Sequence, residues 1–455
     1  MLYTRCGYLQ KGLDKYLGEI MKKVAFYTLG CKVNQYETEA ISEIFKKNGY
    51  EIVDFEDFAD IYIINTCTVT NLSDRKSRQM IRRAKKNNKD SIIVAVGCYA
   101  QVSPDEVLSI PEVNLVIGTK DKGKIIEKIN FIEKGMNKVN LVEDIMKTRE
   151  FEELGVEVYK ERTRAYIKIQ EGCNQFCSYC IIPYARGPIR SRSVEYILDE
   201  VNRLALNGYK EIVLTGIHIA SYGKDIKNTS LLDIIKKVHE IEEVERIRLG
   251  SIEPTTITHE FVNEISKLEK VCPHFHISLQ SGCDSTLKRM NRKYTTDEYR
   301  SAVNLLRNSI KDVAVTTDVM VGFPGETDME FNETVKFLEE INFAAMHVFK
   351  YSQRKGTPAA EFKDQVSPQK KEERSNILLE LSAKMTKEFN KKFEGRIVEV
   401  LFEQDVKDKD GVIEGLTPNY IKVLCEGESH LNGQILKVKV LEAVEDYVKG
   451  RILSS

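Results

Sequence analysis

Three cysteines, Cys173, Cys177 and Cys180, stand in the stretch Cys173-Asn174-Gln175-Phe176-Cys177-Ser178-Tyr179-Cys180. Gaps of three and then two residues let their thiolates converge on three irons of one cubane cluster. A four-iron cluster normally takes four cysteines. A compact set of three leaves one iron free to bind a molecule that reacts. Zinc sites instead tend to use four ligands arranged as paired C-x2–4-C knuckles. The spacing favours an iron–sulfur cluster over zinc and over unligated thiols.

A second set is Cys31, Cys67 and Cys98. Each falls one to two residues past the end of an expected strand, and the separations of 36 and 31 residues each match one βα unit. In an open parallel sheet the loops beyond the carboxyl ends of the strands share one edge. Three distant cysteines would therefore meet there. Gly30 and Gly97 precede two of them, where a missing side chain lets backbone approach a bulky group. Buried structural thiols are the plain alternative, but a second cluster with one open iron suits the placement better. Cys272, Cys283 and Cys425 have no comparable spacing partner, and Cys425 sits inside an alternating strand pattern.

The elements that must position these thiols follow from the apolar pattern. Short apolar runs alternate with amphipathic stretches from residue 23 onward, which predicts parallel βα units. Strands are expected at 23–29, 61–65, 91–96 and 113–117, with helices at 37–48, 73–88 and 122–133, giving a small doubly wound α/β domain over 22–134. A polar linker is expected over 135–158. A second alternating series over 159–389 has strands at 164–170, 211–215, 246–251, 274–279, 313–321 and 344–350. Its helices are expected at 193–207, 231–241, 258–268, 297–309 and 328–341, which fits an open (β/α)6 barrel. A charged helix over about 368–393 precedes a small β-barrel over 391–455, with strands at 396–403, 412–425 and 434–441. Residues 1–20 read unlike the rest, and a non-native leader or mis-called start is expected there, leaving Cys6 outside the ligand sets.

With 455 residues, the chain can hold two or three cores, and 42% apolar with 30% charged residues is an ordinary globular mixture. A net charge of −1 gives no global pull toward nucleic acid or membrane, so such attraction must be local. No apolar run reaches a membrane span, the N-terminus shows no apolar signal-peptide core, and a cytoplasmic setting is expected. Ten cysteines in such a chain suggest metal ligation before disulfides.

Other candidates are local. Arg78, Arg82 and Lys86 share one face of a helix crowded with cations. Arg186, Arg190 and Arg192 follow directly on the three-cysteine loop and suit a polyanionic substrate. These five arginines are the expected RNA contacts. The last domain is not basic, with ten Lys/Arg against twelve Asp/Glu over 391–455. His274 and His276 point to one sheet face, lining either a substrate cavity or a polar layer. The turn Val321-Gly322-Phe323-Pro324-Gly325-Glu326 ends a strand at the expected barrel mouth.

The C-x3-C-x2-C loop with Tyr179 before its last cysteine resembles the radical S-adenosylmethionine superfamily. Tyr27 to Glu37, Asn65 to Val69 and Val96 to Gln101 resemble the N-terminal domain of its methylthiotransferases. Gly172 to Arg192, Ser278 to Gly282 and Asp318 to Glu326 resemble their radical domain. The C-terminal segment is similar to their TRAM domain, which usually contacts RNA. Within the family, Leu29-Gly30-Cys31-Lys32-Val33-Asn34-Gln35 is similar to the branch acting on N6-threonylcarbamoyladenosine in tRNA, just 3′ of the anticodon.

The resemblance implies two four-iron, four-sulfur clusters and two S-adenosylmethionines. Cys173, Cys177 and Cys180 would hold the radical-generating cluster, while Cys31, Cys67 and Cys98 would hold the one that delivers sulfur. One S-adenosylmethionine would methylate the sulfur, and the other would yield the 5′-deoxyadenosyl radical that starts insertion at adenine C2. Tyr179 would lie toward the cofactor's adenine. Gly216, in the loop Gly216-Ile217-His218, would take the place of the turn that binds its methionine amino group, although this loop departs from the double-glycine form. The expected partners are the tRNA anticodon loop, an electron donor and a sulfur source, with no membrane. The alternatives are methylthiotransferases for isopentenyladenosine tRNA or a ribosomal-protein aspartate, and a non-catalytic iron–sulfur RNA-binding or redox-sensing protein.

Overall fold

The computed structural model describes residues 21–156, 163–407 and 409–453. The expected leader at 1–20 lies outside the described residues. Two compact units divide the chain. The first comprises the chain up to Leu29 with Glu37–Cys67 and Ser73–Glu143; the second comprises Gly30–Tyr36, Thr68–Leu72 and Asp144–Ser455.

The first unit is a six-stranded parallel sheet in the order β2-β1-β3-β4-β5-β6. Its strands are β1 (Lys23–Thr28), β2 (Glu51–Val53), β3 (Ile61–Thr66), β4 (Ile92–Gly97), β5 (Leu115–Val116) and β6 (Val139–Asn140). Every residue of β3 is buried, as expected for a strand covered on both faces. Alternate residues feed opposite cores. Tyr62, Ile64 and Ala95 pack with Met80, Ile81 and Ala84 on one face, while Ile61, Ile63 and Val94 pack with Ile41, Phe45 and Ile129 on the other. The expected linker is corrected at β6, which adds an edge strand. Two residues are too short to leave a period-2 signature. The same shortness hid β2.

The second unit carries the expected open barrel. Strands β7 (Arg164–Glu171), β9 (Glu211–Gly216) and β10 (Arg246–Leu249) pair in parallel, and β8 (Arg190–Ser191) adds antiparallel to β7. Strands β11 (His274–His276), β12 (Ala314–Val321) and β13 (Ala345–Lys350) form a second parallel group. Single bridges Ile247↔Val271 and Ile252↔Ile277 join the groups into a row of six parallel strands. The helices that begin at Val194, Leu231, His259, Thr296 and Asp328 start on side-chain caps, with full capping boxes at Thr295–Glu298 and Thr327–Glu330. A long helix, Pro368–Lys391, leads into a closed five-stranded barrel in the order β14-β15-β16-β18-β17.

Those strands are β14 (Ile397–Asp405), β15 (Val412–Leu416), β16 (Lys422–Glu426), β17 (Ile435–Val444) and β18 (Tyr447–Ile452). The single strand expected over 412–425 is two, because Thr417-Pro418-Asn419-Tyr420 turns the chain and Tyr420 takes a φ of 69°. Cys425 is packed in this barrel with Val400, Phe402 and Val438. Among the described residues, no helix is long and apolar enough to cross a membrane.

Candidate functional site

The three-cysteine loop leaves the carboxyl end of β7, and the barrel grips it at several points. Cys173 N–H donates to Gly187 O at 3.0 Å, and Cys180 N–H to Cys177 O at 2.9 Å. Ser178 donates from its backbone to Met290 O at 3.0 Å and from Oγ to Arg289 O at 2.8 Å, while Asn291 Nδ2 donates to Phe176 O at 2.9 Å. Burial pushes the Cys173 thiol up to about 11 and the Cys180 thiol up to about 12, and the neighbouring Cys177 adds to both. Three thiols within one eight-residue loop form a donor set that fits bound positive iron. Among the described residues, no three His, Cys, Asp or Glu side chains stand in metal-ligand geometry without the metal. The fit therefore rests on loop placement and thiol environment.

Beside this loop runs a charged network. Arg292 Nη1 lies 3.3 Å from Cys177 Sγ, and its Nη2 lies 3.1 Å from Glu253 Oε1. Glu253 Oε2 accepts from Gln175 Nε2 at 3.0 Å and stands 3.1 Å from His218 Nε2. A cation and a carboxylate side by side match the carboxylate and amine of an amino-acid moiety. Gly216 is fixed by close approach, since a Cβ there would stand 2.8 Å from Gln170 O. The Gln170 side chain instead accepts from His218 N–H at 2.7 Å. Arg292 and Glu253 escaped the sequence reading. Arg292 stands in the run Met290-Asn291-Arg292-Lys293-Tyr294 and Glu253 in Ser251-Ile252-Glu253-Pro254, and neither stretch carries a marked pattern.

A cavity of about 260 Å³ opens next to the loop. Tyr179 and Cys180 form one wall, Asp318 and Tyr351 another, and Val69 and Thr70 a third. The Tyr351 hydroxyl is buried with no hydrogen-bond partner among the described residues, which leaves a polar atom for a ligand to satisfy. Tyr179 meets Phe323 edge-on at 6.5 Å. Val69 and Thr70 belong to the segment Thr68–Leu72, which directly follows Cys67 in the chain. Arg354 clasps that segment, donating to Thr68 Oγ1 and to Asn71 Oδ1, both at 2.5 Å. Asn71 N–H adds a bond to Ser352 Oγ at 3.2 Å.

Cys67 and Cys98 follow the carboxyl ends of the adjacent parallel strands β3 and β4, and both are buried. Gly97, before Cys98, has a φ of 94°, and a Cβ would stand 2.4 Å from Asn65 Oδ1. Only glycine fits there. Cys31 comes three residues after β1, in the segment Gly30–Tyr36 of the second unit, and is exposed. Of the other cysteines, Cys272 is buried, and Cys283 Sγ lies 3.2 Å from Glu333 Oε2.

The arginines divide. Arg186, Arg190 and Arg192 are buried, which corrects the expectation that they face RNA. Arg186 pairs with Glu171 at 3.2 Å, Arg190 donates to the carbonyls of Pro188 and Arg186, and Arg192 pairs with Glu153 and Glu200. A buried guanidinium needs such partners, so these cations brace the loop from inside. Arg82 is exposed and Arg78 half-buried, with Arg78 bonded to Tyr99 Oη at 2.8 Å and Glu106 at 3.2 Å. Arg75, Lys76 and Lys86 are exposed on the same helix, Asn71–Asn87.

Inside the open barrel the two histidines differ in their partners. His274 is a buried polar layer: its ring stacks on Tyr420 at 4.4 Å and its Nε2 bonds Thr316 Oγ1. His276 lies 3.2 Å from Asp318, whose other oxygen is 3.6 Å from His347. Burial alone would raise the Asp318 carboxyl, but hydrogen bonds from His276 and His347 hold it well below the usual range. The Asp318 hydrogen bond raises His347.

Fold and site together define a radical S-adenosylmethionine protein. The Radical SAM superfamily matches residues 167–338, and the family described as Uncharacterized protein family UPF0004 matches residues 23–118. A structure of the radical S-adenosylmethionine methyltransferase TsrM from Kitasatospora setae superposes with a TM-score of 0.57 over 75% of this chain and 74% of that one, at 14% identity. The chain is 47% identical to threonylcarbamoyladenosine tRNA methylthiotransferase MtaB of Bacillus subtilis, over 95% of this chain and 97% of the relative. It is 37% identical to a tRNA-2-methylthio-N(6)-dimethylallyladenosine synthase of Clostridium beijerinckii, over 95% and 96%. The chain belongs to the radical S-adenosylmethionine tRNA methylthiotransferase family of which MtaB is a member.

Proposed function

We propose that this chain is a tRNA methylthiotransferase that replaces the C2 hydrogen of N6-threonylcarbamoyladenosine, at position 37 beside the anticodon, with a methylthio group. The observation that carries this reading is the cavity whose walls come from the three-cysteine loop at Tyr179 and Cys180 and from Val69 and Thr70, next in the chain to Cys67. A base held there has the radical-generating loop on one side and the segment leading from the second cysteine set on the other.

Cys173, Cys177 and Cys180 would hold one cluster, and Cys31, Cys67 and Cys98 the other. When bound, the clusters and two S-adenosylmethionines supply a carbon radical, a methyl group and the sulfur that carries it. The chain's own residues bind and orient. Arg292 and Glu253 receive the charged ends of the methionine moiety, Tyr179 faces the cofactor's adenine, and Gly216 keeps the approach open. Tyr351 Oη and Asp318 line the space left for the target base. The exposed cations Arg75, Lys76, Arg82 and Lys86 serve the tRNA backbone. The C-terminal barrel adds an RNA-contacting surface by shape rather than by bulk charge.

The test is the nucleoside profile of tRNA from a strain lacking this chain. Loss of 2-methylthio-N6-threonylcarbamoyladenosine, with its unthiolated precursor accumulating, is expected. Loss of the dimethylallyladenosine derivative instead assigns the chain to the other tRNA branch, and unchanged nucleosides direct the search to a ribosomal protein.

A further inference from the structure

Asp318, on a wall of the reaction cavity, stands at the end of a hydrogen-bond chain that begins on a buried histidine. Strands β11 and β12 pair with His276 opposite Thr316, and β12 and β13 pair with Asp318 opposite His347. Thr316 and Asp318 share one face of β12. His274 Nε2 and His276 Nδ1 each lie 3.1 Å from Thr316 Oγ1, and His276 Nε2 lies 3.2 Å from Asp318 Oδ2.

The direction of this chain follows from its buried end. Burial holds the His274 ring neutral, well below the usual histidine range, so it carries one proton. His274 Nδ1 is buried with no hydrogen-bond partner among the described residues. A buried N–H without an acceptor is rarer than an unpaired acceptor. The proton therefore sits on Nε2 and is donated to Thr316 Oγ1. Thr316 has one hydrogen of its own, which goes to His276 Nδ1. That leaves Nε2 as the donor nitrogen of His276, and it donates to Asp318.

His347 Nδ1 stands 3.6 Å from the other oxygen of Asp318. With a histidine at each oxygen the group stays an anion, and an anionic carboxylate only accepts. It has about four acceptor sites, of which the histidines take two, so acceptors remain for a ligand in the cavity. We propose that Asp318 accepts the N6–H of the target adenine, and that Thr316 is the positioning residue that keeps the carboxylate turned to it. This rests on the functional reading above. Adenine carries an N–H donor on C6 where guanine carries an oxygen, so an anionic acceptor at that point favours the first and repels the second. One hydrogen remains on N6 in threonylcarbamoyladenosine, and the contact therefore reads the base rather than its side chain. Such a bond is charge-assisted.

The experiment uses reconstituted holoenzyme and two fluorescent anticodon stem-loops that differ only at the target position. One carries adenosine there and the other purine riboside, which lacks only the N6 amino group. Equilibrium anisotropy gives a Kd for each. Wild type should bind the adenosine stem-loop roughly 10- to 100-fold tighter, the range set by a hydrogen bond to a charged group. Asp318→Ala should bring that ratio close to one. Thr316→Val, which removes only the hydroxyl, should lower it by roughly 2- to 10-fold, the range of a neutral hydrogen bond, and Thr316→Ser should restore it. An Asp318→Ala enzyme that keeps the wild-type ratio while losing affinity for S-adenosylmethionine assigns the carboxylate to the cofactor and overturns the proposal. Thr316→Val and Thr316→Ser enzymes that both keep the wild-type ratio overturn the positioning chain. A wild-type ratio of one, with both stem-loops bound, overturns the recognition of N6–H and leaves the functional reading standing. A wild-type enzyme that binds neither stem-loop overturns the functional reading and this proposal with it.

Discussion

Replacing Arg354 with methionine should loosen the segment Thr68–Leu72 without unfolding the barrel. The guanidinium is buried and donates to Thr68 Oγ1 and Asn71 Oδ1, each at 2.5 Å. Hydrogen bonds from charged groups contribute about 1.5–3 kcal/mol apiece, so losing two removes roughly 3 kcal/mol or more from the closed state of this segment. Two further bonds of this segment, from Asn71 to Ser352 Oγ and Gln353 O, are 3.2 Å long and neutral. At about 1.4 kcal/mol per decade, the segment should open on the order of 100-fold more often. Hydrogen exchange read by mass spectrometry tests this directly. The Asn71 amide should exchange on the order of 100-fold faster, while the Met320 amide, bonded to Gln280 O on the barrel wall, should not change. Because Arg354 acts through Thr68 and Asn71, it is a positioning residue, and the same variant should form more 5′-deoxyadenosine per methylthio nucleoside. Arg354→Lys should recover part of that coupling. An Asn71 exchange rate equal to wild type would refute the clasp.

Other perturbations separate the remaining parts. Cys177→Ala should abolish cleavage of S-adenosylmethionine, whereas Cys67→Ala should leave cleavage and stop sulfur insertion; equal loss of cleavage in both contradicts two clusters with separate tasks. Arg192→Met strands Glu200, which is fully buried, and should cost about 3–5 kcal/mol in urea unfolding while leaving the salt dependence of tRNA binding unchanged. Arg82→Gln, on the exposed helix face, should do the reverse, reducing the salt slope by up to about 0.7–0.9. The Asp318–His347 pair sets a pH window. His347 is raised, so its contribution is fully present below about pH 6.5 and fades as pH climbs through the raised value. Asp318 is lowered, so its contribution is present above about pH 3.9 and fades only as pH falls through the depressed value. Asp318→Asn should return the His347 imidazole toward its ordinary titration by NMR, and an unmoved His347 would sink the pairing.

What could be read from the chain alone follows from which interactions are local. Strands β3 and β4 are continuous apolar runs that both sheet faces bury, so their positions and those of Cys67 and Cys98 were legible from pattern and count. The three-cysteine loop was legible because its three thiols fall within eight residues. The short strands β2, β6 and β18 were not, since two to six residues with mixed polarity acquire their state from neighbours rather than from propensity. The arginines after the loop misled for a related reason. Charge in sequence suggests surface, but Glu171, Glu153 and Glu200 arrive from other elements and bury Arg186 and Arg192 as ion pairs. Arg292, Glu253 and Arg354 owe their importance to partners tens or hundreds of residues away, which no local pattern encodes.

The central claim is sulfur insertion at one chemically defined base. The most direct measurement is a single-turnover reaction of anaerobically reconstituted enzyme with S-adenosylmethionine, a strong reductant and an anticodon stem-loop carrying threonylcarbamoyladenosine, read by nucleoside mass spectrometry. The account predicts conversion to the 2-methylthio derivative together with 5′-deoxyadenosine. An unchanged nucleoside beside continuing 5′-deoxyadenosine formation, with the dimethylallyladenosine stem-loop converted in its place, would contradict it.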